Sequence, residues 1–133
     1  EVILDVPGLY FNGLQLINEQ EGWVVGEGEN SASIFHTDDG GLTWDEQWTG
    51  DATLMSVRMI DSERGFAVGG DLSNRRPTGL ILETSDGGQS WAPMALDADF
   101  ILFNLDIIDE NNAWAVGINL ATNNCGVLRY RGQ

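Results

Sequence analysis

The chain has no lysine. Its 6 basic residues are all arginine (58, 64, 75, 76, 129 and 131) and stand against 21 acidic residues, for a formal net charge of −15. A surface of that sign repels a DNA or RNA backbone, which excludes nucleic acid as a main partner. An anionic membrane is disfavoured in the same way. Divalent cations or cationic partner surfaces are attracted, and the plainer use of the charge is solubility. Cysteine is nearly absent too: Cys125 stands alone, so no internal disulfide can form, and a lone cysteine is expected as a small packed residue. His36 is the only histidine, which removes His-based metal clusters and leaves a Ser-His-Asp triad without a motivated partner. No apolar run reaches membrane-span length and no signal-peptide pattern is present, so membrane insertion is not expected. Glu1 is not an initiator methionine, which suggests a processed chain or a piece excised from a longer one. The residues leave the compartment open, with an extracellular, cell-surface or lumenal setting favoured.

What is present is organised by repetition. The chain has 133 residues with a hydrophobic fraction of 42%, enough for one folded domain despite its charge. His36-Thr37-Asp38-Asp39-Gly40-Gly41-Leu42-Thr43-Trp44 recurs as Glu83-Thr84-Ser85-Asp86-Gly87-Gly88-Gln89-Ser90-Trp91. A self-similar offset of this size marks a repeat architecture. Three Gly-aromatic segments extend the pattern to three units: Gly22-Trp23-Val24-Val25-Gly26, Gly65-Phe66-Ala67-Val68-Gly69 and Ala113-Trp114-Ala115-Val116-Gly117.

Each unit reads as short strands. Leu14/Leu16, Val57/Met59 and Leu105/Ile107 alternate with polar residues, the period of a half-buried strand. Asn18, Asp61 and Asp109 then open polar turns. The Gly-aromatic segments are almost wholly apolar, as for strands covered on both faces. Their closing glycines Gly26, Gly69 and Gly117 mark close packing or a bend. A third strand precedes each repeated turn, at Ile34-Phe35, Gly79–Leu82 and Gly126–Leu128, and a fourth begins at Trp44 or Trp91. No window has a convincing helical period. The units run over about 9–48, 52–96 and 100–133.

The two Thr-x-Asp-Gly-Gly-x-Thr/Ser-Trp stretches resemble the Asp-box, or BNR, motif of β-propellers, a turn between the third and fourth strands of a blade. In each, Asp39 or Asp86 can accept backbone N–H bonds, and Gly40, Gly41, Gly87 and Gly88 supply positive φ. Thr43 and Ser90 can bond the aspartate; Trp44 and Trp91 pack between sheets, and Thr37 and Thr84 complete the motif. Combined with Gly-Trp-x-Val-Gly, the pattern resembles the photosystem II stability/assembly factor family. That resemblance implies a non-catalytic propeller that assists assembly of a complex. The family's propellers are much longer than this chain. They are described as using an Arg-rich surface, to which only Arg75, Arg76, Arg129 and Arg131 could contribute here.

Asp-boxes also occur in sialidases, whose chemistry needs three arginines, a Tyr–Glu pair and an Asp acid/base. Only Tyr10 and Tyr130 are available, and Arg58, Arg64, Arg129 and Arg131 do not occupy equivalent places in three blades. The expectation is therefore no enzyme and no cofactor. His36, aligned with Glu83 and Arg129, is expected at a solvated position. Glu27, Glu29, Asp38 and Asp71 are a weak calcium candidate, since no EF-hand-like loop is present.

The third unit carries no such turn: Tyr130 falls where Thr37 and Thr84 lie. Glu1-Val2-Ile3-Leu4-Asp5 is a candidate fourth strand for it, in cis or in trans. Propellers typically have four to eight blades. Two copies forming a six-bladed ring, a piece of a longer propeller and an open three-blade stack all remain. The expected fold is thus an all-β propeller of about three four-stranded antiparallel blades. The expected function is a binding or assembly scaffold for a protein partner. Contacts are expected from the loops Glu27–Ser33, Asp71–Thr78 and Asn119–Asn124, with Arg75, Arg76, Glu27, Asp71 and Asn123 as candidates. Alternatives are a lectin-like oligomer that binds glycan, a photosystem assembly factor-like protein, and a structural cell-surface or filament subunit.

Overall fold

The computed structural model describes residues 1–96 and 99–132; Gln133, at the end of the third expected unit, lies outside the described residues. Eleven strands form three antiparallel sheets, and the described residues contain no helix. The first sheet is β1 (Leu9–Leu16), β2 (Gly22–Gly28), β3 (Ala32–Thr37) and β4 (Asp45–Gly50), paired in chain order. The second is β5 (Ala52–Met59), β6 (Gly65–Asp71), β7 (Thr78–Thr84) and β8 (Ala92–Met94), again in chain order. The third has three strands, β9 (Ile101–Asp109), β10 (Asn112–Asn119) and β11 (Asn124–Arg131). The all-β architecture of antiparallel sheets is the one expected, with three strands in the third sheet instead of four.

Local chemistry explains the common shape of the sheets. Asn18 Oδ1 accepts the N–H groups of Gln20 and Glu21 at 2.8 and 2.9 Å, Asp61 Oδ1 those of Glu63 and Arg64 at 2.8 Å, and Asp109 Oδ1 that of Asn111 at 2.8 Å. These three turns hold the first hairpin of each sheet. Beyond them, the first strand of each sheet carries a bulge, at Asn12, Met55 and Phe103, which have no partner in the ladder. The bulge brings a carbonyl over the closing glycine of the neighbouring strand. A Cβ would stand 2.4 Å from the Tyr10 oxygen at Gly26, 1.9 Å from that of Thr53 at Gly69, and 2.2 Å from that of Ile101 at Gly117. Bulge and glycine are one device.

The sheets stack in sequence, first on second and second on third, and each junction has its own apolar core. Trp23, Val25 and Ile34 meet Leu54, Val57, Ala67, Leu82 and Trp91 at the first junction. Phe66, Val68 and Ile81 meet Leu102, Leu105 and Leu128 at the second. β2 and β6 are buried on both faces, as expected. β10 is not: Trp114 and Val116 are partly exposed, and among the described residues no sheet packs on that side of the third.

Two further expectations are corrected. Glu1–Val6 form no strand and do not complete the third sheet in cis. Pro7 removes an amide donor and Gly8 takes φ +81°, so the chain turns into β1, and Ile3 lies beside Gly41 of the first sheet. Cys125 is exposed on β11 instead of packed, since β11 is an open edge.

Candidate binding surfaces

The two repeated turns superimpose bond for bond. Thr37 Oγ1 donates to Asp39 Oδ1 at 2.9 Å and accepts the Gly41 N–H at 2.9 Å. Asp39 Oδ1 also accepts the Thr43 N–H at 2.9 Å, and Oδ2 accepts the Thr43 hydroxyl at 2.6 Å. In the second turn Thr84 gives 2.9 and 2.8 Å for the equivalent bonds, and Ser90 gives 2.9 and 2.5 Å to Asp86. Gly40, Gly41, Gly87 and Gly88 all have φ between +72° and +86°, the left-handed region that a side chain disfavours. The Thr43 hydroxyl and then its N–H hold Asp39 at a pKa of about 2. The Ser90 hydroxyl and N–H likewise lower that of Asp86. Each carboxylate accepts three bonds from within its own turn.

The two tryptophans after these turns differ. Trp91 is buried in the first junction, where its Nε1 donates to Gln47 Oε1 at 3.4 Å. Trp44 is only half-buried, yet its Nε1 is shut away from solvent without an acceptor. Gln47, which sequence reasoning passed over, also accepts Trp23 Nε1 at 3.1 Å and donates to the Gly87 carbonyl at 2.9 Å. Asn12 and Gln15 tie β1 to β5 in a similar way: Asn12 Nδ2 donates to the Leu54 oxygen at 3.0 Å, and Gln15 Nε2 to that of Met59 at 3.3 Å. Recurrence marks the repeated turn, but these amides occur once and lack that signal.

His36 is not at a solvated position. Its ring lies 4.7 Å from that of Trp23, and Nε2 is 3.1 Å from Glu21 Oε1. On β3 it shares with Ile34 the face that packs toward the second sheet, and the Trp23 ring, tilted by 37°, lies against it.

The expected contact loops are the connections after β2, β6 and β10. Arg75 and Arg76 are both exposed, adjacent, and outside every ion pair among the described residues. Asp71 is half-buried; the hydroxyl and N–H of Ser73, at 2.5 and 2.8 Å, cap its carboxylate and lower its pKa. Glu27 belongs to β2, half-buried, with Oε2 closed off from solvent, so it is not a free contact residue. Asn123 takes φ +57° and serves the tight turn into β11. Glu27, Glu29, Asp38 and Asp71 do not gather: among the described residues no group of three acidic, histidine or cysteine side chains is placed to hold a metal ion.

A cleft of about 590 Å³ opens between the second and third sheets. Phe66, Ile81 and Met94 line one wall and Leu105 and Leu128 the other; Arg129 and Arg131 also line it, and no acidic residue does among the described residues. The Arg129 guanidinium lies 4.7 Å over the Trp114 ring.

Comparison with known proteins agrees on architecture. No family model matches the chain. No curated protein matches it either. Among solved structures it is similar to one described as YCF48 bound to D1 peptide, with 24% identity and a TM-score of 0.65 over 94% of this chain. The chain spans 41% of that structure's length. Its fold is that of a β-propeller, with the three sheets as blades.

Proposed function

We propose that the chain is a non-catalytic propeller scaffold that holds a protein partner through its loop end. The carrying observation is Arg75–Arg76. On a chain of net charge −15, two adjacent arginines are raised on an exposed loop and pair with no carboxylate of their own among the described residues. An acidic partner segment would find there the planar donors that recognise carboxylates. Asp71 and Asn123 shape the neighbouring turns and are assigned positioning roles. The turns at 37–44 and 84–91 are read as Asp-boxes, structural elements remote from binding.

The similar propeller, described as bound to a peptide, supports this reading and supplies a probe. The experiment is titration of the D1 peptide and of a set of acidic peptides by calorimetry, with Arg75→Glu/Arg76→Glu as the control. Saturable binding that falls at least tenfold in the double variant, at unchanged melting temperature, is expected. Binding that ignores the substitution overturns the loop assignment.

A further inference from the structure

We propose that Asn12 is a site of spontaneous deamidation, through which the folded chain slowly loosens the first blade from the second. Asn12-Gly13 is the one Asn-Gly pair in the sequence. A glycine after asparagine leaves its amide nitrogen open to the side-chain carbonyl carbon, because no Cβ stands in the way. The packing forbids any other residue at that place. A Cβ on Gly13 would lie 2.9 Å from both the Met55 carbonyl oxygen and Ser56 Cα, and 3.1 Å from Val25 Cγ2. β5 comes too close for a side chain, so the fold accepts a reactive pair within β1. Asn12 is exposed and is the bulge residue of that strand, so rotation there breaks no ladder pair. Both of its side-chain bonds are made by Nδ2, to the Leu54 carbonyl at 3.0 Å and the Met55 sulfur at 3.6 Å.

The two Asp-Gly pairs, Asp39-Gly40 and Asp86-Gly87, are the contrast. Each carboxylate accepts three bonds within its turn and is kept ionised by them, which makes it a poor target for a nitrogen nucleophile. At Asn12, hydroxide takes the Gly13 N–H proton and the nitrogen attacks Cγ. The Cγ–Nδ2 bond breaks, ammonia leaves with a proton from water, and a succinimide joins the two residues. Water then opens either carbonyl of the ring, giving aspartate or isoaspartate. One water is consumed, one ammonia is released, and nothing is oxidised or reduced. Either product disturbs the junction between two four-stranded sheets. Aspartate has no N–H for the Leu54 carbonyl and turns a charged oxygen toward it. Isoaspartate adds a methylene to the β1 backbone, which draws Gln15 away from the Met59 carbonyl that its Nε2 reaches at 3.3 Å.

The test is to age the folded chain in mildly alkaline buffer and map its peptides by mass spectrometry, with isoaspartate counted by enzymatic methyl transfer. Isoaspartate is expected at Asn12 at least tenfold faster than at any other asparagine, and Asn12→Gln should abolish that signal in an equally folded chain. Earlier modification elsewhere, as at Asn30 in its exposed loop before Ser31, overturns the proposal. So does an Asn12 that reacts only after the chain is unfolded in urea. For the consequence, amide exchange compares the aged form with fresh protein and with Asn12→Asp. The amides of β1 should exchange at least tenfold faster in the aged form, and Asn12→Asp should move in the same direction. Unchanged protection of β1 and β5 in the aged form overturns the link to the blade junction.

Discussion

Gln47 Oε1 accepts the indole N–H of Trp91 across the first blade junction, at 3.4 Å. The same oxygen takes Trp23 Nε1 at 3.1 Å, while Nε2 reaches the Gly87 carbonyl. One amide on an outer strand thus fixes two tryptophans and the next blade's turn. Replacing it with leucine keeps the bulk and strands two indole donors. We expect Gln47→Leu to cost about 1–3 kcal/mol, read as a fall in the denaturant midpoint at unchanged slope.

Gly69→Ala should be far more costly than its chemistry suggests. The added methyl would overlap the Thr53 carbonyl, whose place the bulge at Met55 sets. Relief requires moving β5 away from β6, and a loss of about 3 kcal/mol or more is expected. Gly87→Ala is the comparison: φ is +72°, with the nearest atom, the Ser62 oxygen, at 3.1 Å. There the backbone conformation dominates, at about 1–2 kcal/mol. Thermal unfolding of both variants checks the order.

Acid should loosen the turns from the carboxylates outward. The Thr43 hydroxyl and N–H hold Asp39 at about 2, below its ordinary 3.8. A depressed carboxylate contributes stability that is complete above the unfolded value and lost as pH falls through the folded one. The window for Asp39 therefore runs from about pH 4 down to about pH 2. Asp61 and Asp109, lowered mainly by the backbone N–H groups of Arg64 and Asn111, add to the same limb. Thr43→Val should move the Asp39 titration back toward 3.8, which carboxyl-carbon NMR resolves. An unmoved titration would show that the hydroxyl is not the main cause.

Most of this architecture was legible in the sequence because the repeat states it two or three times. Thr37 and Thr84, Asp39 and Asp86, and Gly26, Gly69 and Gly117 recur where the backbone demands them, so spacing alone exposes their roles. Contacts between blades occur once each and were not visible: Gln47 has methionine at its second-blade place, and Gln15 has Arg58. His36 was misplaced because its two aligned partners are charged, while its own environment is set by Trp23 and Glu21. Cys125 was misplaced for a related reason, since packing at β11 depends on a neighbouring strand and not on the residue. Glu27 was misread as loop because β2 runs two residues past its closing glycine.

Every sheet here is built from strands that are consecutive in the chain, and each blade touches only the next. Folding can therefore spread along the molecule one blade at a time, with short loop closures and little need for distant segments to find one another. Cooperativity has to be carried across the two junctions, and they are unequal: one is filled by Trp23 and Trp91, the other leaves a cleft beside Phe66. The weaker seam should part first. Amide exchange at pH 7 should release β9–β11 ahead of β1–β8, so the molecule comes apart as a stable pair of blades with a detachable third.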